Sequence, residues 1–218
     1  MGELWEVVVR HFPEFRSGFF ITIRLVAIAF VIAMSVGILI AAFRIAPLKI
    51  LNLIGTFYVE VFRNIPLLVL ITIFFFGLPE QVKLGAWTAG TAALGLYTAA
   101  YVAEAVRSGV FAVGAGQIDA SLSLGFTYRE TLTKIVLPQA VRTVIPPLGN
   151  LMIAMTKNSA IIGASALGIK DLLKEARIVQ ARTFDIEAFF WSAVGYLILT
   201  IALTIAVRSL ETRWAIKR

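Results

Sequence analysis

Five charged side chains, Arg24, Glu60, Arg63, Glu104 and Lys157, fall within or at the edges of long apolar segments. A charge at the centre of a hydrocarbon layer costs about 2.5–3.5 kcal/mol on insertion scales, so each is expected to face protein or water. Glu60 with Arg63, and Glu104 with Arg107, stand three apart and share a helix face. Two readings fit them: paired charges that hold helices in register, or parts of a polar pathway and its gate. Lys157 has no acid within four residues, and Asn150, Thr156, Asn158 and Ser159 gather along the same segment. A cation among hydrogen-bonding groups suits a small zwitterion, whose carboxylate needs a positive partner. The alternative is a cross-helix pair between Lys157 and Glu60 or Glu104. Asn64-Ile65-Pro66 interrupts one apolar segment, and broken helices line cavities rather than lipid.

These groups suit binding rather than bond-making. There is no cysteine, and the one histidine, His11, cannot build a metal cluster. No Ser/His/Asp constellation is recognisable, and no G-x-x-x-x-G-K-[ST] phosphate loop is present. The chain is expected to be no enzyme by itself, with no metal site and no cofactor of its own.

The elements that must position these residues are apolar and long. Hydrophobic residues make up 59% and charged residues 15% of the sequence, with a mean hydropathy of +0.88, where a soluble domain carries about a quarter charged residues. A span needs roughly 20 apolar residues. Five spans are expected, over 17–43, 50–76, 84–106, 138–167 and 188–207, in one domain covering 1–218. The glycines Gly85, Gly90, Gly95, Gly163 and Gly168, with Ala164, suit close span packing.

Odd-numbered spans put the termini on opposite sides. One side, with Arg44, Lys49, Arg107, Arg129, Lys134 and Arg142 among its charges, collects ten basic against three acidic residues; the other has seven against eight. Excess Lys and Arg marks the cytoplasm, so the N-terminus is expected outside and the C-terminus inside. The +7 balance is thereby explained without nucleic acid. The start, MGELWEVVVRHF, has Glu3 and Glu6 where a secretory signal is basic. Its Leu4, Trp5, Val8 and Val9 share a face, which suits a short interfacial helix or a cap on the first span. The outer segment 170–187 alternates charges, as a solvated amphipathic helix or a partner-contacting loop would.

Between the third and fourth spans lies a polar, basic, helix-forming insert, 117–138, on the expected cytoplasmic side. Its first helix, 117–124, ends at Gly125, which suits a left-handed position. Thr127 can cap a second helix, with Glu130 completing a capping box. Leu137-Pro138 is expected to end that helix, because proline disfavours helical geometry in the residue before it. Such a helix–glycine–helix elbow is stiff enough to transmit a push; without a partner it is a re-entrant hairpin.

Asp119-Ala120-Ser121, then Gly125, Ile135, Leu137 and Pro138, resembles the glutamate-alanine-alanine loop of permease subunits from ATP-binding-cassette (ABC) importers, with Asp-Ala-Ser replacing the usual triplet. YVEVFRNIPLLV from Tyr58 to Val69 is similar to the Y-x-E-x-x-R-G-T-P-L element of the polar amino-acid branch, with Asn64 and Ile65 in place of Gly and Thr. AAYVAEAVRSGV, ending at Val110, resembles that branch's A-Y-x-x-E-x-x-R-G-G, and Lys157-Asn158-Ser159-Ala160-Ile161 stands where the branch reads K-D-T-S-L. The likeness runs through nearly the whole chain.

The resemblance implies an all-α membrane protein with the type I ABC importer permease fold, multi-pass in the bacterial cytoplasmic (inner) membrane. It implies pairing with the same or a sister permease, an extracytoplasmic amino-acid binding protein, and a cytoplasmic ABC ATPase dimer that carries ATP and Mg. Asp119, Ala120, Ser121, Gly125, Ile135, Leu137 and Pro138 would form the coupling loop. Glu60, Arg63, Glu104, Asn150, Lys157, Asn158 and Ser159 are the candidate substrate pathway. Asn158 in place of the branch's aspartate favours an acidic or neutral-polar amino acid over a basic one. A gradient-driven secondary transporter would show an internal repeat, which is not seen. A non-transporting scaffold leaves the polar residues of the fourth span without purpose.

Overall fold

A computed structural model describes residues 2–214. Lys217 and Arg218 lie outside the described residues, as do the side chains of Glu3, Leu4 and Arg213. All regular structure among the described residues is helical: α1 (Gly2–Arg10), α2 (Phe12–Ile45), α3 (Lys49–Asn64), α4 (Leu67–Phe76), α5 (Ala86–Phe111), α6 (Ala115–Ser123), α7 (Tyr128–Glu130), α8 (Leu137–Ala164), α9 (Leu172–Thr183) and α10 (Glu187–Trp214).

The core is built on α5, whose small buried residues Ala89, Ala93, Ala99, Ala100 and Ala103 let neighbours approach closely. At Gly95 of α5 an added Cβ would stand 2.8 Å from Ile32, and at Gly37 of α2 one would meet Val102 at 2.6 Å. The two helices therefore touch almost backbone to backbone. Around this pair Leu25, Ala29, Ile71, Leu94, Met155 and Ile162 close the main apolar cluster, which joins α2, α4, α5 and α8.

The expected first and fifth spans correspond to α2 and α10. By length and composition these are the two described helices fit to cross a membrane. The second is broken. Ile65 precedes Pro66 and takes extended geometry, as proline demands of its neighbour, and α3 and α4 meet at 102°. Counted as one span, the bent pair is a third. The helices at the third and fourth positions, α5 and α8, have 26 and 28 residues. At about 1.5 Å per residue they are long enough, but Glu104, Arg107, Arg142 and Lys157 make them less apolar than α2 and α10.

One expectation needs correction. The insert's second helix does not end at Leu137-Pro138: α7 runs through a π-helical turn, Thr131–Val136, straight into α8. In that turn Leu137 N–H bonds to the Leu132 carbonyl, five residues back. The wider π register relieves the clash that proline makes with the carbonyl four residues before it, so Pro138 sits in the first turn of α8 without breaking the chain's direction. At the N-terminus, Val7 of α1 packs against Phe15, Leu172, Ala176, Val179 and Ala188, and Trp5 and Val9 are exposed. The segment after α8 is an amphipathic helix. α9 buries Leu172, Glu175, Ala176 and Val179.

Candidate functional site

Glu104, on α5, gathers three guanidinium groups from three helices. Arg44, at the end of α2, donates to Oε2. Arg107, one turn along α5, donates to Oε1 at 2.9 Å. Arg63, at the end of α3, stands 4.0 Å from Oε2 and lies over the Tyr101 ring at 5.4 Å. The expected Glu104–Arg107 pair is therefore present. The Glu60–Arg63 pair is not seen among the described residues. Glu60 is exposed and accepts from Asn64 Nδ2, at its backbone carbonyl (2.7 Å) and its carboxylate (3.2 Å). Arg63, in the last turn of α3, reaches Glu104 of α5 instead. Arg44 and Tyr101 are members of this cluster that sequence spacing does not reveal, because both contacts are cross-helix.

Beside the cluster runs an open groove of about 330 Å³ lined by Arg63, Tyr101, Glu104, Ser108, Pro147 and Asn150. Asn150 is thereby brought to the Arg63–Glu104 cluster. Lys157 stands two helical turns further along α8, exposed, with no ion pair among the described residues. Its neighbours differ in what they offer. Ser159 is buried and donates to the Thr156 carbonyl at 2.7 Å, and Thr156 donates to the Met152 carbonyl at 3.0 Å. Those hydroxyls are committed to their own helix, while Asn158 is half-buried. Arg24 is exposed and stacks over Trp87 at 5.3 Å.

The insert forms a compact elbow. Gly125 has φ +87, a left-handed backbone, and the Thr127–Glu130 capping box is complete, with Glu130 N donating to Thr127 Oγ1 (3.3 Å) and Thr127 N to Glu130 Oε2 (3.0 Å). Lys134 and these donors hold the Glu130 carboxyl down at about 2. Asp119 and Ala120 are exposed on α6, as are Leu137 and Pro138, and Ile135 is half-buried. Ser121 turns inward: it is 2% exposed, donates to the Ile118 carbonyl (2.8 Å) and pairs with Thr131 Oγ1 (2.9 Å). The third triplet residue thus locks α6 to the π turn, and Gln139 donates to Gln117 across the same joint.

A second polar junction joins α2, α9 and α10. Asp171 is fully buried and caps α9, accepting from Lys174 N (2.8 Å) and from the Tyr196 hydroxyl of α10 (2.8 Å). The adjacent Leu172 N donates to Thr22 Oγ1 of α2 (3.1 Å). Arg177 of α9 donates to the Ala164 carbonyl at the end of α8 (2.9 Å). Burial outweighs these donors and pushes the Asp171 carboxyl up to about 6. Its only sequence signal was the cap position, Asp-Leu-Leu-Lys, which is common at helix starts.

Residues 16–216 match the protein family described as "Binding-protein-dependent transport system inner membrane component". The chain is 42% identical over 209 residues to "Probable glutamine ABC transporter permease protein GlnM" of Bacillus subtilis, covering 95% of this chain and 96% of that one. It is 36% identical to the glutamate transport system permease protein GluC of Corynebacterium glutamicum, covering 94% and 96%. Among solved structures, an amino acid ABC transporter crystallised with histidines superposes with a TM-score of 0.89 at 35% identity, over 94% of this chain and 96% of that one. The inward-facing MetNI methionine transporter, at 21% identity and a TM-score of 0.69, shares the fold. The chain belongs to the binding-protein-dependent transport system inner membrane components, within which its likeness is to amino-acid ABC permeases.

Proposed function

We propose that this chain forms the translocation pathway of an ATP-driven importer for a polar amino acid, acidic or neutral-polar, and couples that pathway to a separate cytoplasmic ATPase. The observation that carries this is end-to-end similarity at 42% to a protein named as a glutamine permease and at 36% to one named for glutamate. A relative named for arginine transport, ArtQ of Bacillus subtilis, is 30% identical over 96% of the chain. Lys157, exposed and followed by Asn158, supports the same substrate class, since a cation without an adjacent acid favours carboxylate-bearing solutes. In this reading α2, the α3–α4 pair, α5, α8 and α10 are five spans, with the N-terminus outside. The elbow α6–Gly125–α7 lies in the cytoplasm, where exposed Asp119, Ala120 and Leu137 dock on the ATPase. A second permease, the same or a sister chain, completes the pathway, and an external binding protein delivers the substrate.

The test is reconstitution of the permease with its ATPase and binding protein in liposomes, followed by uptake of radiolabelled glutamine, glutamate and arginine. ATP-dependent accumulation of glutamine or glutamate in preference to arginine is expected. Accumulation driven by an ion gradient without ATP would overturn the reading.

A further inference from the structure

We infer that Arg63 is a carboxylate-binding station for the transported amino acid, separate from Lys157, in the groove between α3, α5 and α8. The inference rests on the import function proposed above. Its basis is an imbalance of charge and donors. Three guanidinium groups meet one carboxylate, and the two oxygens of Glu104 are engaged by Arg44 and Arg107. Arg63, at 4.0 Å, is beyond hydrogen-bond range, its side chain is 41% exposed, and among the described residues no hydrogen bond accompanies its ion pair. Arg44 Nε and Arg107 Nε are themselves buried without acceptors, so the cluster holds more donors than Glu104 can take. Stacking on Tyr101 occupies the guanidinium face and leaves its in-plane N–H groups unengaged. A planar fork of that kind matches a carboxylate with two parallel hydrogen bonds.

The groove has the size and the neighbours for such a ligand. Its volume, about 330 Å³, lies at the small end of the roughly 300–1,000 Å³ seen for small-molecule sites. Asn150 supplies an amide that can accept from an ammonium or donate to a side-chain oxygen, and Ser108 a hydroxyl. Asn150 and Lys157 are seven residues apart on α8, on one face, with an axial separation of about 10 Å. Arg63, which lines the groove with Asn150, and Lys157 thus both lie toward one face of α8. A carboxylate released from Lys157 finds Arg63 as its next partner, while Glu104 retains Arg44 and Arg107. Because Arg63 is the loosest of the three arginines, it can exchange Glu104 for a ligand without dismantling the α2–α5 link.

The test is equilibrium binding of radiolabelled glutamine, and of glutamine with its α-carboxylate converted to the carboxamide, to the purified permease–ATPase complex without binding protein. The wild-type complex is expected to bind glutamine at least tenfold more tightly than the carboxamide. Arg63→Gln is expected to weaken glutamine binding tenfold or more and leave carboxamide binding unchanged, a selectivity that a purely structural arginine would not produce. Should Arg63→Gln fail to assemble, Arg63→Lys replaces it; loss of the fork then lowers the preference several-fold. No measurable binding at millimolar glutamine to the wild type, or an unchanged preference in the variant, overturns the station. An anionic phospholipid lost by Arg63→Gln, seen by mass spectrometry alongside unaltered glutamine binding, assigns the groove to a lipid headgroup and overturns it too. Liposome uptake by the wild type separates the two proposals: a complex that imports, with an Arg63 variant of unchanged preference, sinks the station alone.

Discussion

Arg44 donates to Glu104 across sixty positions of sequence, and this bond ties the end of α2 to the last third of α5. Arg44 is 10% and Glu104 27% exposed, so the pair is neither fully buried nor a surface pair. Removing the acid leaves Arg44 and Arg107 facing each other without a counter-charge. Glu104→Gln is expected to cost about 1–3 kcal/mol, below the full penalty of a dry broken pair because water reaches part of the site. Arg63→Gln, by contrast, is expected to change stability by less than about 1 kcal/mol, as for an exposed ion pair. Melting of the two variants in detergent checks the contrast; equal losses would mean that Arg63 is as structural as Glu104.

Gly125 gives the elbow its shape. At φ +87 a β-branched side chain is strained, by about 1–3 kcal/mol, while asparagine tolerates the region. Nothing lies within 4 Å of where a Cβ would stand, so the effect is one of backbone alone. Under the coupling role proposed above, Gly125→Val is expected to insert and support ATP hydrolysis but to lose most uptake. Gly125→Asn should retain it. The ratio of ATP hydrolysed to amino acid imported is the quantity to measure, and a normal ratio in the valine variant would refute the role of the elbow.

What could be read from sequence was whatever depends on neighbours within a turn or two. The Thr127–Glu130 box, the left-handed Gly125 and the Glu104–Arg107 pair all lie within four residues of their partners. Proline at 66 predicted an interruption but not its 102° angle, and spacing did not show that Arg63 would meet Glu104 of α5 rather than Glu60. Proline at 138 predicted an end that the π turn avoids by giving the backbone a wider register just ahead of the ring. Arg44 and Asp171 were illegible for one reason. Their partners, Glu104 and Tyr196, stand 60 and 25 positions away, and only packing brings them near.

Asp171 makes stability depend on pH in an unusual direction. Its pKa is raised from 3.8 to about 6, first by burial, with Lys174 N–H, Tyr196 and Leu173 N–H opposing and Glu175 adding to the rise. Burial also raises Glu175, against Lys170 and Arg182. An acid with a raised folded pKa destabilises the fold when ionised, so its penalty is present above about pH 6 and is lifted as pH falls toward 3.8. The upper bound on that change is about 3 kcal/mol. Glu130, whose carboxyl is lowered, acts in the opposite sense over the acid range. The informative measurement is therefore the stability of the wild type minus that of Asp171→Asn, from pH 7 to 4. This difference is expected to move in favour of the wild type as pH falls; a flat difference would mean the carboxyl is solvated.

The same carboxylate explains a glycine. Gly163, one residue before the end of α8, presents its Cα to Asp171, and an added Cβ would overlap the Oδ1 atom. Asp171 cannot retreat, because Lys174 N–H and Tyr196 hold its two oxygens, and Thr22 fixes the next backbone N–H. Gly163→Ala is therefore expected to cost about 1–3 kcal/mol by overpacking, although alanine raises helix propensity. Serine at 171 is shorter yet still accepts from the third residue of α9 as a cap. Combining Gly163→Ala with Asp171→Ser should recover at least about 1 kcal/mol relative to the sum of the single losses. Detergent melts of the two single variants and the double variant decide it. Strict additivity would show that α8 has room to shift and that Asp171 is not what fixes its end.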